Sequence, residues 1–309
     1  MIISTGMRTD IPAFYSSWMA NRLREGYVLV RNPYNRSSVT RYRLSPDVVD
    51  VITFCSKNPA PMLKYLPLLE DYGQYWFVSI TPYQNDYEPN VPHISKSIDT
   101  FIRLSEAVGK DSVGWRYDPV ITDDKYTLEY HTASFAEMAY RMASYTDVCV
   151  VSFVDLYPKV KRNCPMMTPV DHSDRIELIK RFVEIGRDYN ITIKTCCEGH
   201  LCDVYGADSS GCFTKEVYEK AIGKTLRIPN GIKNQREGCS CILGHDIGEY
   251  DTCPHMCTYC YANTDKATVK TNLMKHDPHS PFLIGGEENG DVIRNAVQES
   301  WVDKQISLF

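Results

Sequence analysis

Five short runs rich in β-branched and aromatic residues recur along the first two thirds of the chain, and a stretch of helical periodicity separates each from the next. The runs are Val51–Phe54, Tyr75–Ile80, Ser112–Trp115, Val148–Phe153 and Ile191–Lys194, with the length and composition of strands. Between them, positions 61–72, 93–109, 132–144 and 173–189 read as helices. In the last, Ile176, Leu178, Ile179, Phe182, Val183 and Ile185 supply one apolar face, with Ser173 or Asp174 placed to cap its start. Strand–helix alternation of this kind predicts a parallel sheet with right-handed crossovers.

Each predicted strand runs straight into polar or proline-bearing residues. The segments are Cys55-Ser56-Lys57-Asn58-Pro59, Thr81-Pro82-Tyr83, Arg116-Tyr117-Asp118-Pro119, Asp155-Leu156-Tyr157-Pro158 and Cys196-Cys197-Glu198. In parallel α/β folds the strand carboxyl ends share one face, and that face holds the active site. Lys57, Tyr83, Arg116, Asp118 and Glu198 are therefore expected at one mouth; the alternative is ordinary turn chemistry. Ahead of these units stand a strand at Met1–Ser4, a helix at about 13–24, and a hairpin from 27–30 and 39–42. After about residue 203 the pattern loosens, with a short helix near 214–222 and an irregular last 45 or so residues. The expected division is a β/α body at 1–203 and a cysteine-rich region at 204–309 that completes it.

The net charge is −5, so no general basic field draws in duplex nucleic acid. No apolar run reaches the roughly 18 residues of a membrane helix, and the start lacks the basic and apolar regions of a signal peptide. A cytoplasmic protein without a membrane partner is expected.

Of 12 cysteines, nine lie between Cys196 and Cys260. In a reducing compartment such clustering points to metal or iron–sulfur ligation rather than disulfides. Cys55, Cys149 and Cys164 read as small buried hydrophobes. The densest run is Cys253-Pro-His-Met-Cys257-Thr-Tyr-Cys260, a C-x3-C-x2-C spacing. Three soft thiolates on one short loop suit three irons of a 4Fe–4S cube and leave the fourth iron open to a small chelating molecule. The alternative is a zinc knuckle completed by His255 or Cys241.

This run, with an aromatic residue (Tyr259) before its third cysteine, resembles the signature of the radical S-adenosylmethionine (SAM) superfamily. The resemblance implies a 4Fe–4S cluster on Cys253, Cys257 and Cys260. It also implies that SAM is cleaved reductively to a 5′-deoxyadenosyl radical, which abstracts hydrogen from a substrate. An electron donor such as flavodoxin or ferredoxin would be the partner.

In most of that superfamily the motif follows the first barrel strand, whereas here it follows the β/α units. The implied fold is an α/β, incomplete (β/α)6 TIM-like barrel, circularly permuted. Ser240-Cys241-Ile242-Leu243-Gly244 or Asp246-Ile247-Gly248 would lead into the cluster loop, and Met1–Ser4 would be the next strand in space. Arg8-Thr9-Asp10-Ile11-Pro12, Ser56-Lys57-Asn58-Pro59 and the Ser79–Pro89 stretch resemble the spore photoproduct lyase-like branch. Nearly the whole chain resembles the uncharacterised family called domain of unknown function 1848, whose members carry a C-terminal cysteine cluster.

Cys197, Cys212, Cys239 and Cys241 form a second set, suited to an auxiliary 4Fe–4S cluster or, alternatively, to zinc, with Cys196 and Cys202 as alternates. For SAM, Arg116 is the expected carboxylate clamp. Ser79, Thr9 and Asp10 are expected at its ammonium or ribose, and Arg8 and Lys57 as further cations. Gly285-Gly286-Glu287 echoes the superfamily's Gly-Gly-Glu segment. Tyr83, Tyr117 and Tyr157 are candidates to relay hydrogen atoms, and His200 and His245 lie near cysteines. The substrate is open among small molecules, peptides and nucleic acid. The rival functions are a zinc-stabilised α/β binding protein without redox chemistry and a radical-based nucleic-acid repair enzyme.

Overall fold

The computed structural model describes residues 1–200, 203–230, 232 and 238–303. In chain order its strands are β1 (Ile2–Ser4), β2 (Tyr27–Asn32), β3 (Asn35–Arg43), β4 (Val51–Ser56), β5 (Gly73–Ser79), β6 (Val113–Val120), β7 (Val148–Phe153), β8 (Thr192–Thr195), β9 (His245–Asp246) and β10 (Val292–Asn295). The helices are α1 (Ile11–Phe14), α2 (Ser16–Glu25), α3 (Ile94–Val108), α4 (Leu128–Met142), α5 (Pro158–Asn163), α6 (His172–Asp188), α7 (Lys215–Ile222) and α8 (Lys266–Leu273).

Seven strands form one sheet in the order β8-β7-β6-β5-β4-β1-β9, and every neighbouring pair is parallel. Strands buried on both faces read as continuous apolar runs, which is why β7, Val148-Cys-Val-Val-Ser-Phe153, is buried from Cys149 onward. Helices supply the cover. Phe135 of α4 stacks on Trp115 at 4.7 Å and on Phe182 of α6 at 4.1 Å. Truncating Phe135 to alanine would cost about 3–5 kcal/mol through lost burial and the cavity left behind.

The late strand β9 pairs with β1, setting Ile3 opposite His245 and Ser4 opposite Asp246. The segment ahead of the cysteine loop thus lies beside the chain's first strand. Gly244 permits this closeness, since a Cβ there would stand 2.6 Å from the Ile2 carbonyl oxygen; on the other side of β1, a Cβ at Gly6 would collide with the Cys55 backbone of β4. Among the described residues no pairing joins β8 to β9, so the sheet is open. A second sheet, β10-β3-β2, flanks it.

The structure corrects three expectations. The last residues are not all irregular, since α8 forms and β10 pairs in parallel with β3. Residues Ala60–Leu69 form a 3-10 helix rather than an α-helix; Pro67 inside it has no N–H to give an α-helical ladder. Asp171 occupies the cap position of α6 without a side-chain bond, placing Ser173 and Asp174 inside its first turn. No helix among the described residues is long and apolar enough to cross a membrane.

Candidate functional site

A cavity of about 460 Å³ opens at the carboxyl ends of the large sheet's strands. β1 delivers Arg8, Thr9 and Asp10 to its wall; β4 delivers Cys55, Ser56 and Lys57; β5 delivers Ser79. Arg116 and Asp118 come from β6, Phe153 and Asp155 from the end of β7, and Cys196 and Cys197 from the exit of β8. Both cysteine sets line this one space: Cys253, Cys257 and Cys260 together with Cys197, Cys212, Cys239 and Cys241.

The first set sits on the loop between β9 and α8. Asn263 clamps the loop, its Nδ2 donating to the Cys253 carbonyl at 2.7 Å, and Asn272 donates to the Asp251 carbonyl at 3.0 Å. Tyr15 of the short turn between α1 and α2 donates to the Thr252 carbonyl at 2.5 Å. The backbone turns inside the motif at Met256, which adopts φ +56°. Backbone N–H groups aim at the sulfurs: Ala262 at Cys260 Sγ (3.3 Å), Asn263 also at Cys260, and His255 at Cys253. Burial is the chief cause that pushes all three thiols up, and for Cys253 the charges of Asp10, Cys260 and Cys257 add to it. Without a cation the buried sulfurs keep their protons; a coordinated metal reverses that balance and holds them as thiolates.

Asp10 is the hub that fastens this loop to the body. It caps α1 through the Ala13 N–H (3.0 Å) and accepts from Ser56 Oγ (2.7 Å) and the Lys57 N–H (2.8 Å). It also meets His255 Nε2 at 3.0 Å. The other nitrogen of His255 faces the Asn90 carbonyl at 3.2 Å. Both ring nitrogens thus face oxygen atoms, and these contacts fix the ring between Asp10 and the Asn90 backbone. Beside Cys257, buried Glu88 accepts from Lys57 Nζ (2.8 Å), Thr81 Oγ1 (2.5 Å) and Tyr259. Lys57 lies near the Cys257 sulfur and favours its anionic form. Ser79 reaches the cavity wall, and Thr9 Oγ1 is buried with no hydrogen-bond partner, a polar atom ready for a polar guest.

Arg116 is not the open clamp expected for a carboxylate. Its Nε and Nη2 donate to Asp118 at 2.9 and 2.6 Å, and its Nη1 lies 3.7 Å from Cys212 Sγ. Asp118 is itself held by Ser152, and the guanidinium stands beside the second cysteine set. There Cys212 Sγ stands 3.2 Å from Cys241 Sγ and 3.7 Å from Cys196 Sγ. Cys197 bonds Cys196, and Cys239 bonds Cys241. Cys196 is therefore central to the set, ahead of its expected place as an alternate; Cys202 lies outside the described residues.

Other expected residues are placed elsewhere. Tyr83 donates to the Pro119 carbonyl (2.8 Å) and accepts from the Ile121 N–H (2.7 Å), behind the cavity wall. Tyr117 bonds His131 Nδ1 at 2.7 Å within the aromatic layer under α4. Both are packing residues fixed by their hydroxyls, and neither lines the cavity, whereas Tyr157 does. Glu198 accepts from the Phe153 N–H and Arg175 (2.9 and 3.0 Å) rather than facing the cavity. Gly285-Gly286-Glu287 lies against the hairpin, where Arg31 donates to the Gly286 carbonyl at 3.1 Å. Arg8 is paired with Asp246 at 2.8 Å. His200 bonds Asp203 and Ser209, and His245 meets Tyr42.

Sequence reasoning missed Glu88, although it falls in the Ser79–Pro89 stretch already singled out, and it set aside Cys55, whose strand-end position was the available signal. Among the described residues, no group of three or more His, Cys, Asp or Glu side chains is arranged to hold a metal ion as the side chains stand.

No curated protein and no solved structure matches the chain. The family model described as a domain of unknown function, DUF1848, matches residues 2–262, from β1 through the cysteine loop, and the chain belongs to that family.

Proposed function

We propose that the chain is a radical SAM enzyme whose open parallel sheet is an incomplete, permuted form of the superfamily's β/α barrel. The observation that carries this reading is the C-x3-C-x2-C loop opening into a cavity at the strand carboxyl ends. The donor set fits the group: three thiols, backbone N–H groups pointing at two of the sulfurs, and an unpartnered Thr9 hydroxyl on the same wall.

Cys253, Cys257 and Cys260 would hold a 4Fe–4S cluster, which with SAM supplies reductive cleavage to methionine and a 5′-deoxyadenosyl radical able to take hydrogen from a substrate. The chain's own residues do the rest. Asp10 and His255 set the position of the loop. Lys57, held by Glu88, places a positive charge beside Cys257 and offsets thiolate charge. Thr9 and Ser79 present hydroxyls to the cofactor's polar end. The strand ends and Tyr259 line the cavity around it.

Anaerobic reconstitution followed by assay for 5′-deoxyadenosine tests the proposal. The intact chain should be brown, bleach with dithionite and release 5′-deoxyadenosine, and Cys257→Ala should release none. Iron-free protein with zinc saturating the loop thiols would overturn it.

A further inference from the structure

We propose that the second cysteine set is a mononuclear tetrathiolate site for a zinc-class divalent cation, built on Cys196, Cys212 and Cys241 with a fourth thiolate from Cys197 or Cys239. The separations bear on its nuclearity. Thiolates about 2.3 Å from one tetrahedral zinc lie about 3.8 Å from each other. Ligands of a 4Fe–4S cube each stand off on a different iron and lie roughly 6 Å apart. The observed 3.2 and 3.7 Å lie nearer the smaller polyhedron, and the sulfurs would have to spread much further to admit a cube.

Two further observations agree. The backbone N–H groups of Cys212 and Phe213 converge on Cys241 Sγ at 3.3 and 3.4 Å. A thiol sulfur is a weak acceptor, so a doubly engaged sulfur suits the anion that ligates metal. Arg116, oriented by Asp118, lies 3.7 Å from Cys212 Sγ. Four thiolates around a divalent cation leave two negative charges, and a fixed guanidinium offsets part of them. The site would tie the exit of β8, the segment ending at Phe213 and the segment ahead of β9 into one cavity wall. Closing it takes side-chain rotation within the set, and binding releases the thiol protons to solvent.

The proposal does not depend on the loop cluster, and its test removes that cluster. The full chain carrying Cys253→Ala, Cys257→Ala and Cys260→Ala is purified anaerobically, analysed for metal, and titrated with cobalt(II) alone. About one ion per chain is expected, with the visible bands of tetrahedral cobalt thiolate and no acid-labile sulfide. Cys212→Ser in that background should weaken cobalt binding at least about 100-fold, and one of Cys197→Ser and Cys239→Ser should do likewise. If Cys212→Ser fails to fold by circular dichroism, the cobalt spectrum of the parent variant decides. Four irons with sulfide after reconstitution, no cobalt uptake, or full binding in both flanking variants would each overturn the proposal.

Discussion

The loop thiols Cys253, Cys257 and Cys260 come from one short turn of chain, whereas Cys196, Cys212 and Cys241 come from three segments that meet only in the folded protein. Their electrostatics differ as well. Burial pushes the loop thiols up, and Lys57 is the cation beside Cys257. In the gathered set, hydrogen bonds from neighbouring thiols draw Cys196 and Cys241 down while Cys212 is pushed up, with Arg116 alongside. The two sets thus present different surroundings to one cavity.

The sharpest way to break the comparison is to remove one set at a time. Cys257→Ala should abolish 5′-deoxyadenosine release and leave cobalt binding at the gathered set intact; loss of both in a folded variant would mean the sites are one. Asp10→Ala comes next. It removes a helix cap and the acceptor of Ser56, Lys57 N–H and His255, at an expected cost of about 2–4 kcal/mol by urea denaturation, with poorer iron retention by the loop. Arg116→Met should weaken cobalt binding at the gathered set about 10- to 100-fold and leave the loop's iron content unchanged. An equal loss of both would contradict the pairing of Arg116 with Cys212.

Tyr117→Phe lies outside both sets. It should cost about 1–2 kcal/mol of stability while 5′-deoxyadenosine release stays within about two-fold of the parent. The smallest effect concerns pH. Burial holds His131 and His245 below the ordinary histidine value. The folded state therefore binds fewer protons than the unfolded chain between those lowered values and about 6.5. Stability is complete above about 6.5 and falls on acidification through that window. The urea midpoint should drop between pH 7.5 and 5.5, and His131→Gln should flatten part of the slope.

Much of the scaffold was legible because its signals are local. The runs that became β4, β5, β6, β7 and β8 were visible as apolar stretches, and the periodicity of α3, α4 and α6 placed them within a few residues. The helix at α8 and the strand β10 were not, since α8 has a weak apolar face and β10 is exposed and held by its pairing with β3. At the site, Lys57, Ser79, Thr9 and Asp10 reached the wall that their strand-end positions implied. Tyr83 and Tyr117 did not, because a hydroxyl's partner depends on what packs across from it, and here those partners are Pro119, Ile121 and His131.

By itself the sequence determined the alternation of strands and helices through β4 to β8 and the spacing of three thiols on one loop, since both follow from periodicity and separations of a few residues. The pairing of β9 with β1 is expected from the permuted order and is found; only the tertiary structure decided that Arg116 turns to Asp118 and Cys212, and that Cys196 joins Cys212 and Cys241. Those contacts join residues far apart in the chain, and closing such distances depends on how the whole sheet packs.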